Sequence, residues 1–123
     1  MAWFRCSGGS GGTSGGFAKH DFTGVTLTAN TYIDENNGTQ KSSNNWSSTD
    51  YIEIQGSEMT FAGGLVRYGS NSKYNAFYDA NKTYISGFNC YNDLPVDIPN
   101  NAKYMRLSCQ TNYFSMTNYY FIG

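Results

Sequence analysis

The apolar residues of this chain come in short runs that alternate with polar ones, and nowhere does a long apolar stripe follow the helical period. Lys103 to Cys109 is the clearest case: Met105, Leu107 and Cys109 share one face while Tyr104 and Arg106 lie on the other. Tyr51-Ile52-Glu53-Ile54 repeats the pattern and puts Ile52 and Ile54 inward. A period of two specifies strands, and the available side chains agree with it. With 11 Tyr, 8 Phe and 2 Trp against sparse Leu, Ile and Val, the core must be largely aromatic, which suits a pleated, half-buried surface.

Turn residues divide these runs at the spacing of an antiparallel β protein. Val25 to Thr28 and Tyr32 to Glu35 read as the first two strands, followed by Asn36-Asn37-Gly38, whose residues tolerate the positive φ of a tight hairpin. Met59 to Phe61, Leu65 to Tyr68 and Tyr74 to Tyr78 read as further strands, and Asp79 to Lys82 as a turn that sends Thr83 to Phe88 back as a hairpin. Pro95 and Pro99 bracket Val96 to Ile98, which makes that strand short and peripheral. Tyr113 to Ile122 closes the chain. Strands in this number without a helix predict an all-β fold, an antiparallel two-sheet β-sandwich of the jelly-roll kind. A chain of 123 residues has room for one such domain, expected over residues 17–123. Residues 1–16 read as a leader, because SGGSGGTSGG at 7–16 has the composition of a flexible spacer behind the short apolar head Ala2-Trp3-Phe4.

Charge and motif content narrow the function. Eight Lys plus Arg against nine Asp plus Glu form no basic cluster, which argues against nucleic acid as a partner. No apolar run has the length of a membrane span, and the opening residues are too short for a secretory signal. Cys6, Cys90 and Cys109 match neither a zinc nor a redox spacing, so they read as buried thiols, with a Cys90 to Cys109 bridge the alternative. Catalytic residues are not expected. His20 is the single histidine and sits beside the leader, and Asp34, Glu35, Asp50, Glu53 and Glu58 show no spacing that singles out an acid and base pair. Asp and Asn oxygens are abundant enough for a structural calcium, but no ligand loop supports one, and no other metal or cofactor is implied.

Four stretches carry a resemblance. They are Asn45 to Ile52 (NWSSTDYI), Ala76 to Lys82 (AFYDANK), Tyr84 to Gly87 (YISG) and Val96 to Ser108 (VDIPNNAKYMRLS). In this order they resemble the jelly-roll domains of phage and prophage tail or baseplate proteins, and of secreted bacterial hydrolases where such domains are similar to carbohydrate-binding modules. The likeness spans roughly residues 25–122. It implies a non-catalytic module that attaches to a glycan or cell-surface polysaccharide, on a virion tail or outside the cell after release. The alternative is an accessory domain that mediates assembly and binds no ligand. Independently of the resemblance, the leader composition reads Trp3 and Phe4 as a plug for a larger tail protein, with a disordered terminus as the alternative, and a homo-oligomer is the state expected if the domain serves assembly.

A sugar has an apolar face and a rim of hydroxyls, so a binding site needs aromatic planes beside neutral polar groups. The stretch from Leu65 to Asn75 has that composition, which makes Arg67, Tyr68, Asn71, Tyr74 and Asn75 the candidate ligand-binding residues. Trp46 joins them in reserve, either as an anchor packed on the sandwich or as a ligand platform.

Overall fold

The structure is a computed structural model that describes residues 17–62, 74–89, 94–111 and 119–123. The leader with Trp3 and Phe4, the expected strand from Leu65 to Tyr68, Cys6, Cys90, and the candidates Arg67, Tyr68 and Asn71 lie outside the described residues. So does the stretch at 113–118.

The described chain is all-β. Its strands are β1 (Ala18–Asp21), β2 (Leu27–Ile33), β3 (Gln40–Thr49), β4 (Ile52–Glu53), β5 (Glu58–Ala62), β6 (Asn75–Tyr78), β7 (Tyr84–Phe88), β8 (Pro95–Asp97), β9 (Tyr104–Arg106), β10 (Ser108–Gln110) and β11 (Tyr119–Ile122). They pair antiparallel in three sheets, of order β1-β11-β5-β8, β10-β3-β2 and β4-β9-β6-β7. No helix among the described residues is long and apolar enough to cross a membrane.

Three sheets stand where two were expected, and the reason is local. β3 runs into β4 and β10 into β9, but Ser48 pairs with Ser108 whereas Ile52 pairs with Met105, so one strand carries an extra residue between the two ladders. This is a bulge, and it interrupts the pairing. The Thr49 N–H still donates to the Leu107 carbonyl at 2.8 Å. The return bond is diverted: Leu107 N–H donates to Thr49 Oγ1 at 3.0 Å, and the freed Thr49 carbonyl accepts from Arg106 Nε at 3.0 Å. Two of the three sheets are thus halves of one surface, stitched by side chains where the backbone ladder breaks.

A sandwich-like core fills the space between that surface and the β1-β11-β5-β8 sheet. Met59, Phe61, Val96, Tyr120 and Ile122 come from the four-stranded sheet, and Phe77, Phe88, Met105, Leu107 and Cys109 from the other side. The alternation read in the sequence sorts these correctly, since Met105, Leu107 and Cys109 are each no more than 1% exposed. Rings make a file across this core, from Phe77 against Phe88 (4.2 Å) through Phe61 to Tyr120 and Phe22. β8, which begins at Pro95 and ends before Pro99, is an edge strand, where a residue without an N–H is tolerated.

The β2–β3 hairpin departs from the expected plan. Val25 to Thr28 and Tyr32 to Glu35 were to be separate strands; instead the end of the first and the start of the second are joined through Ala29 to Thr31 in the single strand β2. The polar run QKSSNNWSST, in which no strand was expected, is its partner β3. The register shifts between Ala29 and Thr31, and Asn30 (φ 60°) and Asn45 (φ 68°) take the left-handed conformation there, which Asn tolerates best after Gly. Beyond this bend the hairpin tip folds back over the second surface of the β4-β9-β6-β7 sheet. Ile33 is buried against Ala76 and Tyr78, and its N–H donates to Ser108 Oγ at 3.1 Å. Gly38, rather than Asn36 or Asn37, supplies the positive φ of the tip, at 74°.

The tip fits closely. A Cβ on Gly38 would lie 2.7 Å from the Tyr84 ring and 2.9 Å from that of Tyr78, so both φ and space require glycine. Gly38→Ala is expected to cost about 3 kcal/mol. A urea midpoint equal to that of the parent would show that the tip does not rest on these rings.

Cys109 is a free, buried cysteine, and burial pushes its thiol up to about 12. Because the thiolate is the nucleophile, iodoacetamide at neutral pH should leave Cys109 unmodified in the folded protein and label it in urea. Peptide mass mapping reads the difference.

Candidate functional site

Among the described residues, aromatic side chains outside the main core form a Tyr119–Phe121 pair on β11, with Lys19 over the Tyr119 ring, and two larger groups whose surroundings differ. The first is locked. Tyr78 and Tyr84 donate their hydroxyls to the Gly38 and Glu35 carbonyls of the hairpin tip, and Tyr51 meets Tyr78 edge-on at 4.9 Å. Lys82 Nζ lies 4.9 Å from the centre of the Tyr51 ring, and the Arg106 guanidinium 4.7 Å from it. Arg106 is only 8% exposed, and the ion pairs among the described residues are Lys41 to Asp34 and Lys103 to Glu53, so no described carboxylate balances it. Its charge is held by the Thr49 carbonyl, the Gln40 side-chain oxygen and the Tyr51 ring. Charge-assisted hydrogen bonds and a ring face offset the loss of water, and this group therefore fixes the hairpin in place.

The second group is half-open to solvent. Trp46 and Tyr74 meet with ring centres 4.5 Å apart, and Tyr32 stands edge-on to both, at 6.5 Å from Trp46 and 5.5 Å from Tyr74. All three residues are partly buried. Each is placed by a different element. Tyr32 rides on β2 just past the bend, and Trp46 follows the left-handed Asn45 on β3, opposite Gln110 of β10. Tyr74 immediately precedes β6, and its carbonyl accepts from the Ser108 hydroxyl. Among the described residues, Gln110 stands beside Trp46 in the ladder and Lys41 beside Tyr32, so the face has an amide and a cation at its margin, and Trp46 also packs against the main core. Partly exposed rings with tyrosine hydroxyls and an amide beside them can take a flat, weakly polar ligand face and bond its edge.

Of the candidate residues, the structure brings together Trp46 and Tyr74. Asn75, by contrast, is 2% exposed, and its amide bridges backbone groups, donating to the Phe88 carbonyl and accepting from Ser108 N–H at 3.1 Å each. It ties β6 to its neighbours and takes no place on the surface. Tyr32 was missed. Its signal in the sequence was an outward position on a strand, but nothing there tied that strand to Trp46, because the bend at Asn30 and Asn45 makes the contact.

His20 also needs correction. Expected only beside the leader, it sits in β1, pairs with Tyr120 in the ladder, and stacks on that ring at 5.2 Å and 16°. Of the carboxylates, Asp34 pairs with Lys41 at 2.7 Å, Glu53 with Lys103 at 3.0 Å, and Asp50 accepts from the Tyr51 N–H. The hydrogen bond from Lys41 holds Asp34 below the usual carboxylate range. No three His, Cys, Asp or Glu side chains among the described residues stand close enough to hold a metal ion.

No protein-family model, curated protein or solved structure matches the chain.

Burial pushes the Tyr78 and Tyr120 hydroxyls up to about 12, with the Arg106 charge pulling Tyr78 the other way. Unfolded tyrosine ionises near pH 10, so between about pH 10 and 12 the unfolded chain loses these protons first. Stability is therefore full below pH 10 and falls as pH rises through 12, by about 2 kcal/mol for each residue. Urea midpoints at rising pH should show this loss, and Tyr78→Phe should remove about half of it.

Proposed function

We propose that this chain is a non-catalytic binding module of jelly-roll architecture, carried on a phage or prophage tail, that attaches to a host-surface glycan through the face made by Trp46, Tyr74 and Tyr32. The observation that carries the reading is the contact of Trp46 and Tyr74 at 4.5 Å with Tyr32 against both, all three partly exposed, with Gln110 beside Trp46. A pyranose presents C–H groups on one face and hydroxyls around its rim, and such a surface meets both. Rings held on strands keep their orientation without a ligand, which lowers the entropy lost on binding.

The jelly-roll reading draws support from the pairing order. If β3 with β4, and β9 with β10, are each counted as one strand, and β2 as an added edge, then the first strand pairs with the last, the second with the next to last, and so on inward. Those pairs are β1 with β11, β3 and β4 with β10 and β9, β5 with β8, and β6 with β7. A long antiparallel ribbon rolled on itself pairs in this way, and it is the arrangement of a jelly roll.

The place on a virion tail rests on the resemblance of the four sequence stretches, and the docking of Trp3 and Phe4 on a larger tail protein rests on the composition of the leader. An assembly domain without a ligand would need a contiguous apolar surface. Among the described residues Leu94 is the one exposed large hydrophobic side chain, which favours the glycan reading. Attachment by one copy is weak, and several copies on one particle raise it through avidity.

Trp46→Ala and Tyr74→Ala are each expected to lower binding to host cells and to the recognised glycan on an array about tenfold, equivalent to about 1.4 kcal/mol, with the fold unchanged by circular dichroism. Undiminished binding by both folded variants would sink the site. A stable oligomer by light scattering with no glycan bound on the array would favour assembly.

A further inference from the structure

The two faces of the fold part at one edge, and what lines the gap is unusual for a sandwich. Between β1 and β11 on one side and the end of β4 on the other lies a cleft of about 330 Å³. The inward positions of an edge strand would ordinarily close the core with apolar side chains. Here they are Ala18, too small to fill the gap, and His20, and every residue of β1 is exposed. Glu53 and Gln55 stand on the opposite wall, and Ile54 and Ile122 contribute apolar surface.

The cleft is preformed. His20 is held flat against Tyr120 at 5.2 Å. The loop carrying Gln55 is pinned to the chain end, where the Gly123 carbonyl accepts from the N–H groups of Ser57 (2.9 Å) and Glu58 (3.2 Å). Gly56 permits this approach, since a Cβ there would stand 2.9 Å from the Gly123 oxygen. A rigid recess with an apolar lining and a few convergent polar groups is the general form of a small-ligand site.

The wall chemistry selects the ligand. Gln55 both donates and accepts, a neutral imidazole does the same through its two nitrogens, and Glu53 only accepts. The Glu53 charge is already balanced by Lys103 at 3.0 Å, so a cation gains little there, while an anion would meet the carboxylate. The match is a neutral molecule rich in hydroxyl donors. The volume lies at the lower end of ligand pockets, roughly 300–1,000 Å³, which admits one ring and not an oligosaccharide chain.

We infer that the cleft between β1 and β4 is a second binding site, which takes a single neutral polyhydroxylated ring of monosaccharide size, with His20, Gln55 and Glu53 bonding its hydroxyls. The inference does not rest on the Trp46 face, which is built from β2, β3 and the residue before β6.

The test is an amide-resolved NMR titration of the whole chain with glucose, galactose, rhamnose and N-acetylglucosamine, each to about 50 mM, as a single small site binds in the millimolar range. At least one sugar should shift the His20, Gln55 and Ile122 amides saturably. His20→Ala and Gln55→Ala should each weaken that binding about tenfold, Ala18→Leu should abolish it by filling the gap, and Trp46→Ala should leave it unchanged. Ala18 is exposed, so its replacement spares the core, and dispersed amide signals confirm that the variant is folded. Absence of any shift at these amides with all four sugars would overturn the assignment, as would binding that survives Ala18→Leu intact. Shifts confined to the Trp46 face would also overturn it while leaving the glycan reading standing.

Discussion

The diverted hydrogen bond at Thr49 is the constraint on which the second surface of this fold depends. A bulge between β3 and β4 breaks the ladder, and an unpaired buried N–H at Leu107 would cost free energy comparable to a lost hydrogen bond. Thr49 Oγ1 supplies the missing acceptor, and Thr49 itself is fully buried. Its carbonyl is thereby released to Arg106, whose other end reaches Gln40 on the returning arm of the hairpin. One local irregularity thus draws a long cation inward and gives the hairpin a fixed point on the sheet.

From that point the fold-back of the hairpin follows by satisfaction of polar groups. Ser108 Oγ accepts from Ile33 N–H and donates to the Tyr74 carbonyl, so a single hydroxyl joins the tip of β2 to the start of β6. Asn75 closes the same network from beneath by accepting from Ser108 N–H. Partly satisfied networks of this kind are costly, and this one is completed by hydroxyls, one amide and one guanidinium. The tyrosines above it then have carbonyls to bond rather than water. The consequence for function is indirect: with the tip anchored, Tyr32 is brought against Trp46 and Tyr74, and three rings distant in sequence form one half-open face.

The two surfaces offered to ligands differ in kind. The Trp46 face is a set of rings without a deep recess and suits stacking, whereas the cleft beside β1 is concave and suits the capture of one ring by its hydroxyls.

How much of this was legible in the sequence depended on the range of the interaction responsible. The alternation of Met105, Leu107 and Cys109, the Asp79 to Lys82 turn and the peripheral strand at Val96 all follow from neighbours in the chain. The turn, for instance, is made by Asp79 Oδ1 accepting from the N–H groups of Asn81 and Thr83. β3 gave no such sign, since its polar residues carry no apolar period. Its place between β2 and β10 is set by pairing with strands on both sides. His20 looked peripheral for a similar reason: its strand exists because β11, a hundred residues away, offers a free edge. Determined by the sequence itself, then, were the all-β class, the inward faces of the alternating strands and the short turns, because steric preference and burial of alternate side chains act over a few residues. The tertiary structure alone decided the division into three sheets, the fold-back of the hairpin, the burial of Asn75 and the meeting of Trp46 with Tyr74 and Tyr32, because each depends on a hydrogen bond or ring contact between segments whose separation along the chain carries no periodic signal.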